Sequence, residues 1–180
     1  MSRKGDSGLS GSVGLLAARA DLLRPLWQRY GFSEDADALA LEARNIMWIG
    51  EASARGESCS SALAAMVPDE DAPGFDVGHA LASNALAAIA YTLKWIQGDI
   101  DAAQWVLTQI DEAADLADRV VIGSPGSVVV PASSLVARAR EAAAALDALA
   151  RKDPATDALR ERSAVLGRDL WAALSLDEAE

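Results

Sequence analysis

The side chains able to do nucleophilic or acid–base chemistry in this sequence are few apart from its carboxylates. There is one histidine, His79, and one cysteine, Cys59. A serine–histidine–acid triad would have to use His79, yet no G-x-S-x-G elbow presents a serine to it. No arginine stands a few residues before His79, as the nuclease motif of helical antiviral domains needs; the nearest preceding one is Arg55. His79 therefore reads as a helix-start residue beside the Pro73–Phe75 loop. A lone Cys59 excludes an intrachain disulfide and a thiolate metal cluster. Phosphate-loop and dinucleotide fingerprints do not occur, so no cofactor is expected. Asn84 lies mid-way along an alanine-rich helical stretch, where a buried amide needs partners; a hydrogen bond between helices is the expected role, with orientation of a ligand as the alternative.

The carboxylates raise the question of a metal. D-E-A-A-D at Asp111 to Asp115 resembles the aspartate-rich motifs of helical diphosphate-processing enzymes. Those motifs work with a second carboxylate cluster across a cavity, whereas Asp69, Glu70 and Asp71 lie in a loop. A solvated helix face accounts for the same residues, and no metal site is expected.

The placement of these acids around one helix is more informative. At about 100° per residue, Asp111, Asp115 and Asp118 line up with Gln104 beside an apolar stripe of Ala103, Val106, Leu107, Ile110, Ala114, Ala117 and Val121. Trp105 is expected to point almost directly away from that stripe, flanked by Asp101, Thr108, Gln109 and Glu112. An outward tryptophan ringed by acids has the composition of a protein-binding hot spot. Candidate contacts are Asp101, Trp105, Asp111, Glu112, Asp115 and Asp118, joined by Asp69, Glu70 and Asp71. Coverage of Trp105 by another helix is the competing expectation.

The elements that must position these residues are helices. The composition is 51% hydrophobic, much of it alanine, with two phenylalanines; alanine is the best helix former and allows close helix approach. Leu15 to Tyr30 has a helical pattern that Pro25 must kink or split. Ser33 should cap a second helix running to about Ala54, with core stripe Leu39, Ala43, Ile46, Met47 and Gly50, and with Leu41 and Trp48 on another side. A short helix follows near Ser61 to Met66, then a loop from Val67 to Phe75. Asp76 or Gly78 opens a central helix that Gly98 ends, apolar around most of its circumference. Asp99 should cap the next, to about Ile122; a loop spans Gly123 to Pro131, and the last two helices run from about Ser133 to Arg151 and from Pro154 to about Leu176. The expected fold is all-α, a compact bundle of about seven helices around that alanine-rich one. Residues 12–180 form a single domain behind a disordered tail, Met1 to Gly11, which lacks an apolar run of signal-peptide length. Cytoplasmic location is expected.

Charge narrows the partners. The net −11 is uneven. Met1 to Tyr30 holds five basic and two acidic residues; Gly31 to Asp118 holds three basic and sixteen acidic; Arg119 to Glu180 holds eight and nine. An acidic middle disfavours nucleic acid, whose phosphates need clustered Lys and Arg, and suits a basic protein. Val77 to Gln97 is long enough to span a bilayer, but His79, Ser83, Asn84 and Lys94 interrupt it, so no membrane association is expected.

Three stretches resemble a bacterial family catalogued as domain of unknown function 416, over about Leu22 to Val121. They are the Pro25 kink with Tyr30-Gly31-Phe32; Phe75-Asp76 leading into the helix with Asn84; and Gly98-Asp99, Trp105, Gln109 and Glu112-Ala113-Ala114-Asp115. The resemblance implies an all-helical fold and carries no activity. It also implies a fold role for Trp105 and Glu112 to Asp115.

Three function classes follow. The first is a non-enzymatic protein-binding domain, such as an immunity-type inhibitor that neutralises a basic toxin through an acidic surface. The second is a structural or scaffolding bundle, including a homodimer. The third is a small-ligand binder or metal-dependent enzyme built on Asn84 and carboxylates.

Overall fold

The computed structural model describes residues 6–31, 33–66, 76–123, 134–153, 155–172 and 174. Among them are eight helices and no strand: α1 (Asp6–Asp21), α2 (Arg24–Tyr30), α3 (Glu34–Ile49), α4 (Ala54–Met66), α5 (Val77–Ile96), α6 (Ala102–Gly123), α7 (Leu135–Lys152) and α8 (Thr156–Trp171). The count exceeds the expected seven because Pro25 splits the first helix rather than bending it. Proline cannot donate to the carbonyl four residues back. The chain instead closes a tight turn, in which Leu22 N–H bonds Arg19 O (3.2 Å) and Leu23 N–H bonds Ala20 O (3.1 Å).

Several boundaries follow directly from capping chemistry. Ser33 Oγ accepts from Ala36 N–H at the start of α3, where Glu34, Asp35 and Asp37 face the positive end of the helix. Asp76 Oδ1 accepts from His79 N–H (2.8 Å) to open α5, and Ser134 Oγ accepts from Ala137 N–H (3.1 Å) to open α7. Other boundaries need correction. Gly50 is not part of the α3 stripe but its terminator, left-handed at φ 74°. The helix expected near Ser61 begins at Ala54 instead, because Ser53 Oγ caps it through Gly56 N–H (3.1 Å). The helix expected from Asp99 begins at Ala102, after a turn closed by Ala102 N–H to Asp99 O (3.1 Å). α8 stops at Trp171, short of Leu176. α1 starts at Asp6, so the stretch read as a tail is helical from that residue; adding turns to a formed helix costs far less than nucleating one. Residues 1–5, the Asp69–Asp71 loop, Val128–Val130 and Pro154 lie outside the described residues.

α5 is the centre of the bundle and packs against α1, α2, α3, α4 and α6. Leu81, Ala82, Ala85, Leu86, Ala88, Ile89, Ala90 and Leu93 are buried on it, around most of its circumference. One apolar cluster runs through all eight helices, from Leu16 on α1 to Leu170 and Trp171 on α8. α8 lies parallel to α1: Gly14 faces Leu159 and Thr156, and Gly167 faces Leu22. At Gly167 a Cβ would stand 2.9 Å from Leu22 O, an oxygen that also accepts from Trp171 Nε1 (2.8 Å). The glycine is what lets α8 settle onto the turn between α1 and α2.

The core also contains an ion pair. Arg44 on α3 donates from Nε and Nη2 to the two carboxylate oxygens of Asp21 at the end of α1, at 2.5 and 2.6 Å, with the side chains 5% and 1% exposed. The fork geometry satisfies both carboxylate oxygens, the condition under which a charge is tolerated at such depth.

Candidate protein-binding face

Trp105 lies on the outer side of α6 and is 45% exposed. No helix covers it. It is not directly opposite the core, as the sequence pattern suggested. The residues of α6 that are buried are Ala102, Val106, Ile110, Ala113, Ala114 and Ala117, whereas Leu107 is exposed. This turns the apolar stripe toward Ala102 and Ala113 and brings Trp105 to its margin, next to α5. There the indole stacks on Tyr91, with ring centroids 6.1 Å apart and planes inclined by 27°. Lys94 Nζ stands 5.4 Å from the Tyr91 ring centroid. The pair fixes the indole in one orientation while leaving a face open to solvent.

The acidic residues separate into two groups. Trp105 and Glu112 share one stripe of α6, Asp101 stands in the turn just before the helix, and the Asp101 and Glu112 side chains are exposed. Glu112 accepts from Gln109 Nε2 (3.2 Å), a neutral partner that leaves its charge in place. Asp111, Asp115 and Asp118 belong to the other side of α6, toward α7, and each has a partner within the chain. Asp118 reaches past its own helix: its two oxygens accept from Leu135 N–H (2.7 Å) and Val136 N–H (3.2 Å), so it caps α7. Asp115 pairs with Arg119 one turn on. Asp111 faces Arg140 of α7 at 3.4 Å, both of them exposed. These engagements commit the Asp118 carboxylate, a candidate contact, to the start of α7 and reduce the charge offered by Asp111 and Asp115. They do so because α7 packs along that flank of α6. Asp69, Glu70 and Asp71 lie outside the described residues.

The other candidates have local roles. His79 Nδ1 lies 2.9 Å from Asp76 Oδ1, at the start of α5. The backbone N–H of His79 is the main influence holding the Asp76 carboxyl below the usual range, with the ring hydrogen bond adding to it. Cys59 is buried on α4, and burial pushes its thiol above the usual range, away from the thiolate that nucleophilic chemistry needs. Asn84 does not bridge helices: its Nδ2 donates to Ala80 O of its own helix (3.1 Å), as Ser83 Oγ does to His79 O and Thr92 Oγ1 to Ala88 O. A polar side chain inside a packed helix can satisfy itself on the carbonyl one turn back. Among the described residues, no three His, Cys, Asp or Glu side chains are grouped to hold a metal ion. None of their helices is long and apolar enough to cross a membrane.

Pairing of Tyr91 with Trp105 is not readable from either helix alone, since the two belong to different helices. The one available signal is a tyrosine one turn before a lysine near the end of the central helix. No family model, curated protein or solved structure matches the chain.

Proposed function

We propose that this chain is a non-enzymatic protein-binding domain, of the kind that inhibits a basic toxin by covering it, and that α6 carries the contact. The observation that supports this reading is Trp105. A tryptophan is a large apolar surface to leave in water, and this one is held by stacking in a fixed orientation between two exposed acids, Asp101 and Glu112. Rigid aromatic anchors of this kind dominate protein interfaces because little side-chain entropy is lost when they are covered. The net charge of −11 would speed encounter with a cationic partner. The site so defined is Trp105 with Tyr91, rimmed by Asp101 and Glu112; Asp111 and Asp115 add only the part of their charge that Arg140 and Arg119 leave.

The test is capture of a basic partner from the native host by the immobilised full chain, followed by binding kinetics. Trp105→Ala should speed dissociation, at a cost of roughly 2–4 kcal/mol. Asp101→Lys and Glu112→Lys should slow association at low salt and lose that effect at high salt. A partner bound with unchanged rates by all three variants would place the contact elsewhere.

A second reading has its own observation. Ile100, next to α6, is 77% exposed, and Leu107 is exposed on the helix itself. A structural bundle that pairs with its own copy could cover both. Light scattering of the wild type and of Ile100→Glu distinguishes the readings: a dimer that the substitution disperses supports self-association, and a monomer in both cases removes it.

A further inference from the structure

Positive charge is scarce in this chain, with 16 Lys and Arg against 27 Asp and Glu. Yet Arg24, beside the turn between α1 and α2, feels the charges of three other arginines, Arg44, Arg160 and Arg168. Arg44 is buried and committed to Asp21. Burial, and then the charges of Arg44, Arg160 and Arg168, hold the Arg24 guanidinium below its usual range, and Asp21 alone pulls the other way. Among the described residues, no carboxylate pairs with Arg24, Arg160 or Arg168. Arg160 lies over the ring of Trp48, 5.7 Å from its centroid. The hydrogen-bond acceptor open to Arg24 among the described residues is neutral: the Gln28 amide, whose oxygen can be turned to within 3.2 and 3.3 Å of its Nη2 and Nε. The result is a local excess of positive charge on an acidic molecule.

A cavity of about 150 Å³ adjoins this excess, between α2 and the end of α8. Pro25, Leu26, Trp171 and Leu174 give it apolar walls, and Arg29 and Arg168 also line it. The two arginines differ. Arg29 Nη1 donates to Leu174 O (2.6 Å) and so holds a wall in place. Arg168 has no acceptor among the described residues. The ring of Trp171 is fixed in turn by its bond to Leu22 O. A space of about this volume admits a benzene-sized group, and a guanidinium at its edge with no acceptor among the described residues is suited to donate two parallel hydrogen bonds to an oxyanion.

We propose that this cavity binds a small molecule consisting of a benzene-sized apolar group that carries a carboxylate or a phosphate. The apolar group seats against Leu26 and Trp171. The oxyanion takes Arg168, with Arg24 as the second positive charge. Apolar walls with one convergent charged group are the usual composition of a small-ligand site. It is separate from the Trp105 face, which lies on α5 and α6.

The experiment is a titration of the full chain with phenyl phosphate and with benzoate, followed by the Trp171 indole N–H signal in nuclear magnetic resonance. Inorganic phosphate and benzyl alcohol serve as the two halves of the probe. A saturable shift of Trp171 is expected with at least one whole probe, and much weaker binding of either half. Arg168 is exposed, so Arg168→Gln should fold, and it should weaken binding about tenfold or more, the effect of one charge-assisted pair. Arg24→Gln should weaken it less. The proposal is overturned if neither whole probe shifts Trp171 saturably at millimolar concentration, or if Arg168→Gln binds like the wild type. It is equally overturned if inorganic phosphate binds as well as phenyl phosphate, since that outcome needs only surface charge. The comparison of whole probe with half probes requires no variant, so it decides the matter even if a substitution perturbs folding.

Discussion

Replacing Asp21 by asparagine should be among the most damaging single-atom changes available in this protein. The substitution preserves shape but removes the charge that both Nε and Nη2 of Arg44 contact at 2.5 and 2.6 Å. Arg44 has nowhere else to go, since its side chain is 5% exposed. Removing one partner of a buried pair costs about 3–5 kcal/mol, because the other charge stays buried without compensation. The neighbourhood pushes the cost toward the upper end: Asp21 is also the one attractive charge that Arg24 feels, so the variant leaves the repulsion between Arg24 and Arg44 without a counter-charge. For a chain of this length, each kcal/mol moves Tm by about 2–4 °C, which gives a fall of roughly 6–20 °C. Arg44→Met should cost less, because a buried carboxylate stripped of its partner can take up a proton, whereas a guanidinium cannot lose one. The double variant Asp21→Leu with Arg44→Met should recover most of the loss, since apolar replacements of buried pairs are often neutral or stabilising. Urea unfolding of the four proteins forms a double-mutant cycle. If Asp21→Asn loses less than about 1 kcal/mol, which is the range of an exposed pair, the pair is hydrated in solution and the reasoning fails.

Asp118→Ala should destabilise by roughly 1 kcal/mol through loss of the cap on α7, and Asp118→Asn by much less; hydrogen exchange should speed up at Leu135 and Val136 in the alanine variant and nowhere on α5. Gly167→Ala should lower stability despite the roughly 1 kcal/mol gain in helix propensity, because a methyl group 2.9 Å from Leu22 O forces α8 outward at a typical cost of 1–3 kcal/mol. A variant more stable than wild type would show that α8 can move freely. The depressed Asp76 carboxyl stabilises the fold above its unfolded-state pKa, and that contribution is lost as pH falls through the lower folded-state value, below about pH 4. Urea midpoints measured against pH should therefore show a shallower acid limb in Asp76→Asn than in wild type.

The central helix was legible because nearly every position from Leu81 to Leu93 is apolar, and the cap at Ser33 was legible because a serine stands just before a helical pattern with acids in its first turn; the sequence pattern left Asp76 and Gly78 as alternatives for the start of the central helix, and Asp76 caps it. Contacts made across the bundle were not. Arg44 enters the core only because Asp21 meets it from another helix, and a charged residue on an apolar face gives no local sign of whether it is paired. The face of α6 was misplaced by part of a turn because alanine fits either side of a helix: Ala103 was assigned to the core where Ala102 and Ala113 are the buried residues. That small rotation moved Trp105 from the far side to the margin and concealed its stack on Tyr91. Asp118 looked like its exposed neighbours, since nothing within one helix shows that the next begins beneath its carboxylate.

The hydrogen bond from Trp171 to Leu22 bears on how the chain can fold while it is being made. The two residues are 149 positions apart, and α8 lies along α1 for most of its length. At roughly 5–20 residues per second, the ribosome needs about 7–30 s to deliver the second partner after the first. Throughout that interval α1 can meet α3, α5, α6 and α7 as these appear one after another, while the side that α8 will cover stays open. Helix formation takes about a microsecond, so the elements are ready long before their last neighbour exists. Completion of the bundle is thus tied to the synthesis of α8, and a nascent chain stalled before α8 presents the surface around Leu22 and Leu23 to whatever chaperone or protease is at hand.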